Sequence, residues 1–170
     1  RGGMEVNLLP TDKPQDVYTG VANLVIAKIE EDKTYSKWDE MTEKERNKVN
    51  NMRDEELKEM ELARIERQSA QVRKFAHMLD GHITRKVVKQ TVMTSVYGVT
   101  FVGARKQIQA RLEERLITPN TPTTEEAEKE MYALANYVAR TTLDQMNLLF
   151  KGAREIMVRT AYACQPQCTR

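Results

Sequence analysis

Apolar residues recur along this chain at helical spacing. Val17, Val21, Leu24, Val25 and Ile29 form one stripe, which predicts a helix beginning near Pro14, whose missing N–H suits a first helical turn. From Trp38 to Arg67 the pattern thins to Val49, Met52, Leu57, Met60, Leu62 and Ile65, and more than half the residues are charged. A long, mostly solvated helix held by side-chain ion pairs is expected there, with Thr42 and Glu45 spaced as a capping box. Phe75–Tyr97 is the most strongly periodic segment, and Gly98 and Gly103 are expected to interrupt it. A further helix is expected over Ala104–Leu116, with Ile108 and Leu112 on one side. "TPNTPTT" then reads as a loop. Thr123 with Glu126 fits a second capping box, opening an amphipathic helix from Glu125 to about Val158. Only "MEVNLLP", an apolar run ended by Pro10, suggests the end of a strand. The fold class is mainly α, and no internal repeat is evident.

Composition sharpens this picture in three places. The 170 residues carry 27 Lys and Arg against 25 Asp and Glu, so a formal net charge of +2 does not by itself select a nucleic-acid partner. The distribution is uneven: acids crowd Glu30–Glu66, and bases dominate Arg73–Arg111. Aromatics are only 6%, as expected of a helical core of Leu, Val, Met and Ala. No run of about 18 apolar residues is present, and the opening residues lack a signal or transit composition. The chain opens on Arg1 rather than on Met, so it is expected to belong to something longer. Cys164 and Cys168, without a nearby His, make a poor zinc signal and read as free thiols. His77 and His82 lack a carboxylate at helical spacing apart from Asp80, and read as packing or surface residues.

The stretch "TRKVVKQTVMTSVYGVT", Thr84–Thr100, carries the candidate chemistry. On a helical wheel Arg85, Lys89, Met93 and Tyr97 drift down one side, bordered by Lys86 and Gln90. Val87, Val88, Thr91, Val92, Thr94 and Ser95 make the rest, a small and β-branched surface suited to packing. A helix from Arg85 to Tyr97 would span roughly 18 Å, which suits an elongated ligand with anionic and aromatic ends, such as a nucleoside triphosphate. Arg offers a planar fork to phosphate oxygens and Lys a compact charge. Tyr supplies a ring and a hydroxyl, and Gly98 removes a Cβ where a base pair would approach. Spacing alone leaves two readings open: phosphate or nucleic-acid contact, and a solvated basic face.

Those residues closely resemble the fingers helix of the single-subunit RNA polymerases of bacteriophages, mitochondria and chloroplasts. The family pattern of Arg, three residues, Lys, seven residues and Tyr-Gly falls on Arg85, Lys89, Tyr97 and Gly98. "GARKQIQARLEER", from Gly103 to Arg115, and "REIM", from Arg154 to Met157, extend the likeness. "VNLLPTDKPQDVYTGVA", from Val6 to Ala22, resembles the segment leaving the palm. The organellar branch fits better than the phage branch. The resemblance implies a fingers subdomain of a right-hand polymerase: residues 1–12 as the end of the palm, 13–157 as helical fingers with a charged insertion at about 32–67, and 158–170 as a divergent tail.

It also implies template-directed RNA synthesis, with DNA template, RNA product and NTPs as partners, mitochondrial transcription factors besides, and no membrane. The mitochondrion is the implied location, with the plastid as the alternative. Lys89 would contact the triphosphate and assist protonation of the leaving pyrophosphate, making it the catalytic residue. Arg85 would bind the γ-phosphate end, and Met93, Tyr97 and Gly98 would complete the NTP site. Gly103 and Arg105 would meet nucleic acid. Tyr18 would line the template side of the cleft or pack beneath the fingers. The family's two Mg²⁺ ions are held by two palm aspartates, and no Asp or Glu here matches either motif. The chain is therefore expected to be inactive alone. A non-catalytic helical nucleic-acid-binding module and a helical protein scaffold are the competing readings.

Overall fold

The computed structural model describes residues 16–163, with side chains for residues 16–151. The expected strand end in "MEVNLLP", the palm piece 1–12, Pro14, Cys164 and Cys168 lie outside the described residues. Among the described residues every regular element is a helix: α1 Val17–Asp32, α2 Lys37–Glu40, α3 Glu43–Asn50, α4 Glu55–Met78, α5 Arg85–Ser95, α6 Phe101–Leu116 and α7 Glu125–Ala163. They fall into two compact units. One takes the chain up to Val25 and from Ile83 onward, and the other is Ile26–His82.

In the first unit the packing follows the apolar stripes. Val17, Val21 and Val25 of α1 are buried as their spacing predicts. On α6, Ala104, Ile108 and Leu112 stand four residues apart, so they fall on one face, and all three are fully buried. Helix α6 packs against both α5 and α7. Along α7, Leu134, Ala135, Val138, Ala139, Thr142 and Met146 form the buried side. Thr142 satisfies its buried hydroxyl by donating to the Val138 carbonyl at 2.7 Å. Two helix starts differ from expectation. Helix α6 begins at Phe101, because the Thr100 Oγ1 accepts from the Gly103 N–H at 3.1 Å; Gly103 therefore sits in a first turn rather than breaking a helix. Helix α7 is capped by Thr124, whose Oγ1 accepts from the Ala127 N–H at 3.1 Å, one position later than the expected Thr123–Glu126 box.

The second unit corrects the expectation of one long charged helix. Thr42 and Glu45 do form a reciprocal capping box, with the Glu45 N–H 3.2 Å from Thr42 Oγ1 and the Thr42 N–H 2.7 Å from Glu45 Oε2. A box of this kind starts a helix, so it also ends the one before it, and α2 stops at Glu40. Asp54 then caps α4 by accepting from the Glu56 and Leu57 amides. Helices α2 and α3 both pack on α4. Ser69, buried on α4, accepts from the Lys37 N–H at 2.8 Å and donates to the Ile65 carbonyl at 2.9 Å. Arg46 donates to the carbonyls of Trp38 and Met41. The expected insertion 32–67 lies inside this unit, which extends beyond it at both ends. The periodic segment Phe75–Tyr97 is also split, since Gly81 takes a φ of +74° in the turn between α4 and α5.

Candidate nucleotide-binding site

Helix α5 has two faces, as its sequence predicts. Val87, Val88, Thr91 and Val92 are buried. Arg85, Lys86, Lys89, Gln90 and Met93 are exposed. The buried face is fixed from α6: Thr91 Oγ1 donates to Gln107 Oε1 at 3.0 Å, and Gln107 Nε2 donates to Thr94 Oγ1 at 3.3 Å. β-Branched side chains have few rotamers, so this packing holds the register of the exposed face.

The helix stops two residues before Tyr97. Helix α5 ends at Ser95, and the last turn tightens, with the Tyr97 N–H on the Thr94 carbonyl at 3.0 Å and the Gly98 N–H on the Ser95 carbonyl at 3.1 Å. Gly98 follows with φ +82°. Tyr97 lies two residues beyond the end of α5 and is 90% exposed. The left-handed backbone is one reason for glycine at position 98. A Cβ there would meet nothing within 4 Å, so the space beside it is open.

At position 103 a Cβ would come 3.2 Å from the Thr100 Oγ1 that caps its own helix, so that hydroxyl would have to shift by a few tenths of an ångström. Arg105, on α6, lies 4.5 Å over the Tyr132 ring of α7 and donates to Gln109 Oε1. It is half-buried and engaged there rather than standing with the α5 cations.

The first turn of α1 meets the cations instead. The Arg85 guanidinium lies 5.0 Å over the Tyr18 ring, and Lys89 Nζ lies 5.9 Å from the same ring centroid. Tyr18 is thus the shared seat of both cations. Asp16, which the sequence reading did not place in the site, completes the arrangement. Its Oδ1 accepts from the Thr19 N–H at 2.7 Å, capping α1, and its Oδ2 accepts from Arg85 Nε at 2.9 Å. The Thr19 backbone N–H chiefly, and Arg85 after it, hold the Asp16 carboxyl below its ordinary range, with partial burial opposing them. An Asp three residues before Thr19 is a visible cap signal. The pairing across 69 positions with Arg85 is not visible in a sequence.

The Asp16–Arg85 pair is partly exposed on both sides. Such pairs contribute about 0.2–1 kcal/mol, and an exposed cation–π contact about 0.5–1 kcal/mol. These contacts orient the cations without committing them, so a polyanion can still be bound. Among the described residues no three His, Cys, Asp or Glu side chains gather where a metal ion could be held. No described helix is long and apolar enough to cross a membrane.

Comparison with known proteins identifies the family. The family model for DNA-dependent RNA polymerase matches residues 1–165. The mitochondrial DNA-directed RNA polymerase of Neurospora crassa is 39% identical over 155 residues, covering 91% of this chain and 8% of the relative. The mitochondrial DNA-directed RNA polymerase 1B of Nicotiana tabacum is 37% identical over 156 residues, covering 92% of this chain and 12% of the relative. The human mitochondrial DNA-directed RNA polymerase is 35% identical, covering 91% of this chain and 9% of the relative. The chain thus spans about a tenth of the length of these relatives. It belongs to the single-subunit, phage- and mitochondrial-type family of DNA-dependent RNA polymerases.

Proposed function

We propose that this chain acts within a longer organellar DNA-directed RNA polymerase as part of its fingers, and that the exposed face of α5 grips the incoming NTP. The observation that supports this best is the arrangement of Arg85 and Lys89, one helical turn apart on a rigid helix and both seated on Tyr18. Arg85 keeps a planar fork for the γ-phosphate end, and Lys89 supplies a point charge to the same triphosphate. In phosphoryl transfer charge spreads over non-bridging oxygens, so cations positioned before the reaction stabilise the transition state. Lys89, with its exchangeable proton, can protonate the pyrophosphate as it leaves. Met93 offers a flexible apolar contact, and Tyr97 and the open space beside Gly98 receive the sugar and base. Gly103 and Arg105 lie along the continuing α6, where nucleic acid would pass. The metal is Mg²⁺, held by palm carboxylates that are not among the described residues. The relatives' names include mitochondrial enzymes and a chloroplastic/mitochondrial enzyme of Arabidopsis thaliana. The mitochondrion is the proposed location, with the plastid as the alternative, and transcription factors of that organelle are the proposed protein partners.

Lys89→Ala in the complete polymerase tests this reading. Nucleotide addition is expected to slow about 100-fold, the scale of a lost proton donor, while template affinity is retained. A non-catalytic nucleic-acid-binding module would instead lose template affinity and show a shallower salt dependence. That pattern would overturn the proposal.

A further inference from the structure

Asp16 raises a question that the cation row does not answer. Arg85 and Lys89 lie beside the N-terminal turn of α1, where the helix's own partial charge is positive. Two cations placed there repel that end unless a negative group intervenes. Asp16 is that group, and its two oxygens have separate tasks: Oδ1 caps the helix through Thr19, and Oδ2 takes the Nε edge of Arg85. The Tyr18 ring takes the guanidinium face. An arginine held by its Nε edge and one face keeps its two terminal amino groups for a further bidentate partner. Both contacts come from one turn of one helix, so the fork is oriented by a rigid element.

We infer that Asp16 is a positioning residue for substrate: it fixes the Arg85 fork so that its terminal amino groups take the oxygens of the NTP's phosphate tail. This rests on the reading of α5 as the triphosphate grip. Without the carboxylate, Arg85 retains only the ring contact and samples other rotamers. Its ordering is then deferred to the moment of binding, which weakens ground-state affinity.

The discriminating variant is Asp16→Asn in the complete polymerase. Asn is as good an N-cap as Asp, so the Thr19 bond and the start of α1 survive. Its amide oxygen can serve Thr19, which leaves an N–H₂ donor facing the Arg85 Nε–H donor. Single-nucleotide addition is measured against NTP concentration for the wild type, Asp16→Asn, Arg85→Ala and the double variant. Asp16→Asn is expected to raise the NTP KM about three- to tenfold with little change in kcat. Arg85→Ala is expected to raise it about tenfold or more, and adding Asp16→Asn to it should do nothing further. If Arg85→Ala raises KM but Asp16→Asn does not, Asp16 is only a helix cap; the inference fails and the functional reading stands. If the Asp16→Asn effect persists undiminished in the Arg85→Ala background, Asp16 does not act through Arg85 and the inference is again overturned. If Arg85→Ala itself leaves KM unchanged, the triphosphate-grip reading fails, and this inference fails with it.

Discussion

Gly98 offers a way to separate what the backbone needs from what a substrate needs. Its φ of +82° lies in the left-handed region, and so does the +74° of Gly81. Neither has any atom within 4 Å of where a Cβ would stand. Alanine at either position therefore meets no clash and incurs the same conformational cost, about 1–2 kcal/mol for an L-residue in that region. The cost falls on a short hydrogen-bonded turn in each case: Gly98 N–H to the Ser95 carbonyl at 3.1 Å, and His82 N–H to the Leu79 carbonyl at 2.9 Å. Hydrogen exchange at those two amides should accelerate by a similar factor in Gly98→Ala and Gly81→Ala, about 5–30-fold. Nucleotide addition by the complete polymerase should respond differently. Gly81→Ala should leave it near wild type. Gly98→Ala should lower kcat/KM well beyond the turn's own loss, because the added methyl projects into the open space where the proposed function puts the nascent base pair. If Gly98→Ala synthesises RNA as Gly81→Ala does, position 98 needs glycine only for its backbone, and the close-approach argument is wrong.

Three further outcomes follow from the packing and the electrostatics. Leu112→Ala removes a side chain with no exposed surface, shared by α6 with its neighbours, and should destabilise the first unit by about 2–5 kcal/mol in denaturant titration. Thr42→Ala removes half of the capping box that starts α3 and should destabilise that helix by about 1 kcal/mol, read by hydrogen exchange at the amides of the Glu43–Asn50 helix, with nucleotide addition unaffected. The Asp16 carboxyl has a folded pKa below its ordinary 3.8, so its contribution is present above that pH and is lost as pH falls through the folded value. An acid titration of stability should therefore fall more steeply below about pH 3.8 in the wild type than in Asp16→Asn.

What the sequence revealed, and what it hid, follows the range of the forces involved. The two faces of α5 were legible because burial of Val87, Val88, Thr91 and Val92 obeys a local period. The stripes of α1 and α6 were legible for the same reason. Helix ends were read less well. The Thr42–Glu45 box is visible in the sequence, but the end it imposes on the preceding helix is not. Asp80-Gly81, a turn dipeptide inside an apolar-periodic segment, separates α4 from α5. The spacing of Tyr97 continues a helical row, whereas α5 ends at Ser95 in a tightened last turn that the spacing does not reveal. The contacts that organise the site were the least legible. Asp16 meets Arg85 across 69 positions, and Tyr18 meets two cations from another helix, and neither contact leaves a periodic trace. Gly103 and Arg105 were grouped with nucleic-acid contacts by their place in a motif. The structure gives each a local partner besides, the Thr100 cap for Gly103 and the Tyr132 ring for Arg105.

The central claim is that the exposed face of α5 receives the triphosphate. The most direct measurement is a structure of the complete polymerase with template, RNA and an unreactive NTP analogue bound. The account predicts phosphate oxygens within hydrogen-bond distance of the Arg85 terminal amino groups and of Lys89 Nζ, with Asp16 still on Arg85 Nε and the nucleoside beside Tyr97 and Gly98. A triphosphate bound away from α5, with Arg85 and Lys89 lying instead along a nucleic-acid backbone, would contradict it.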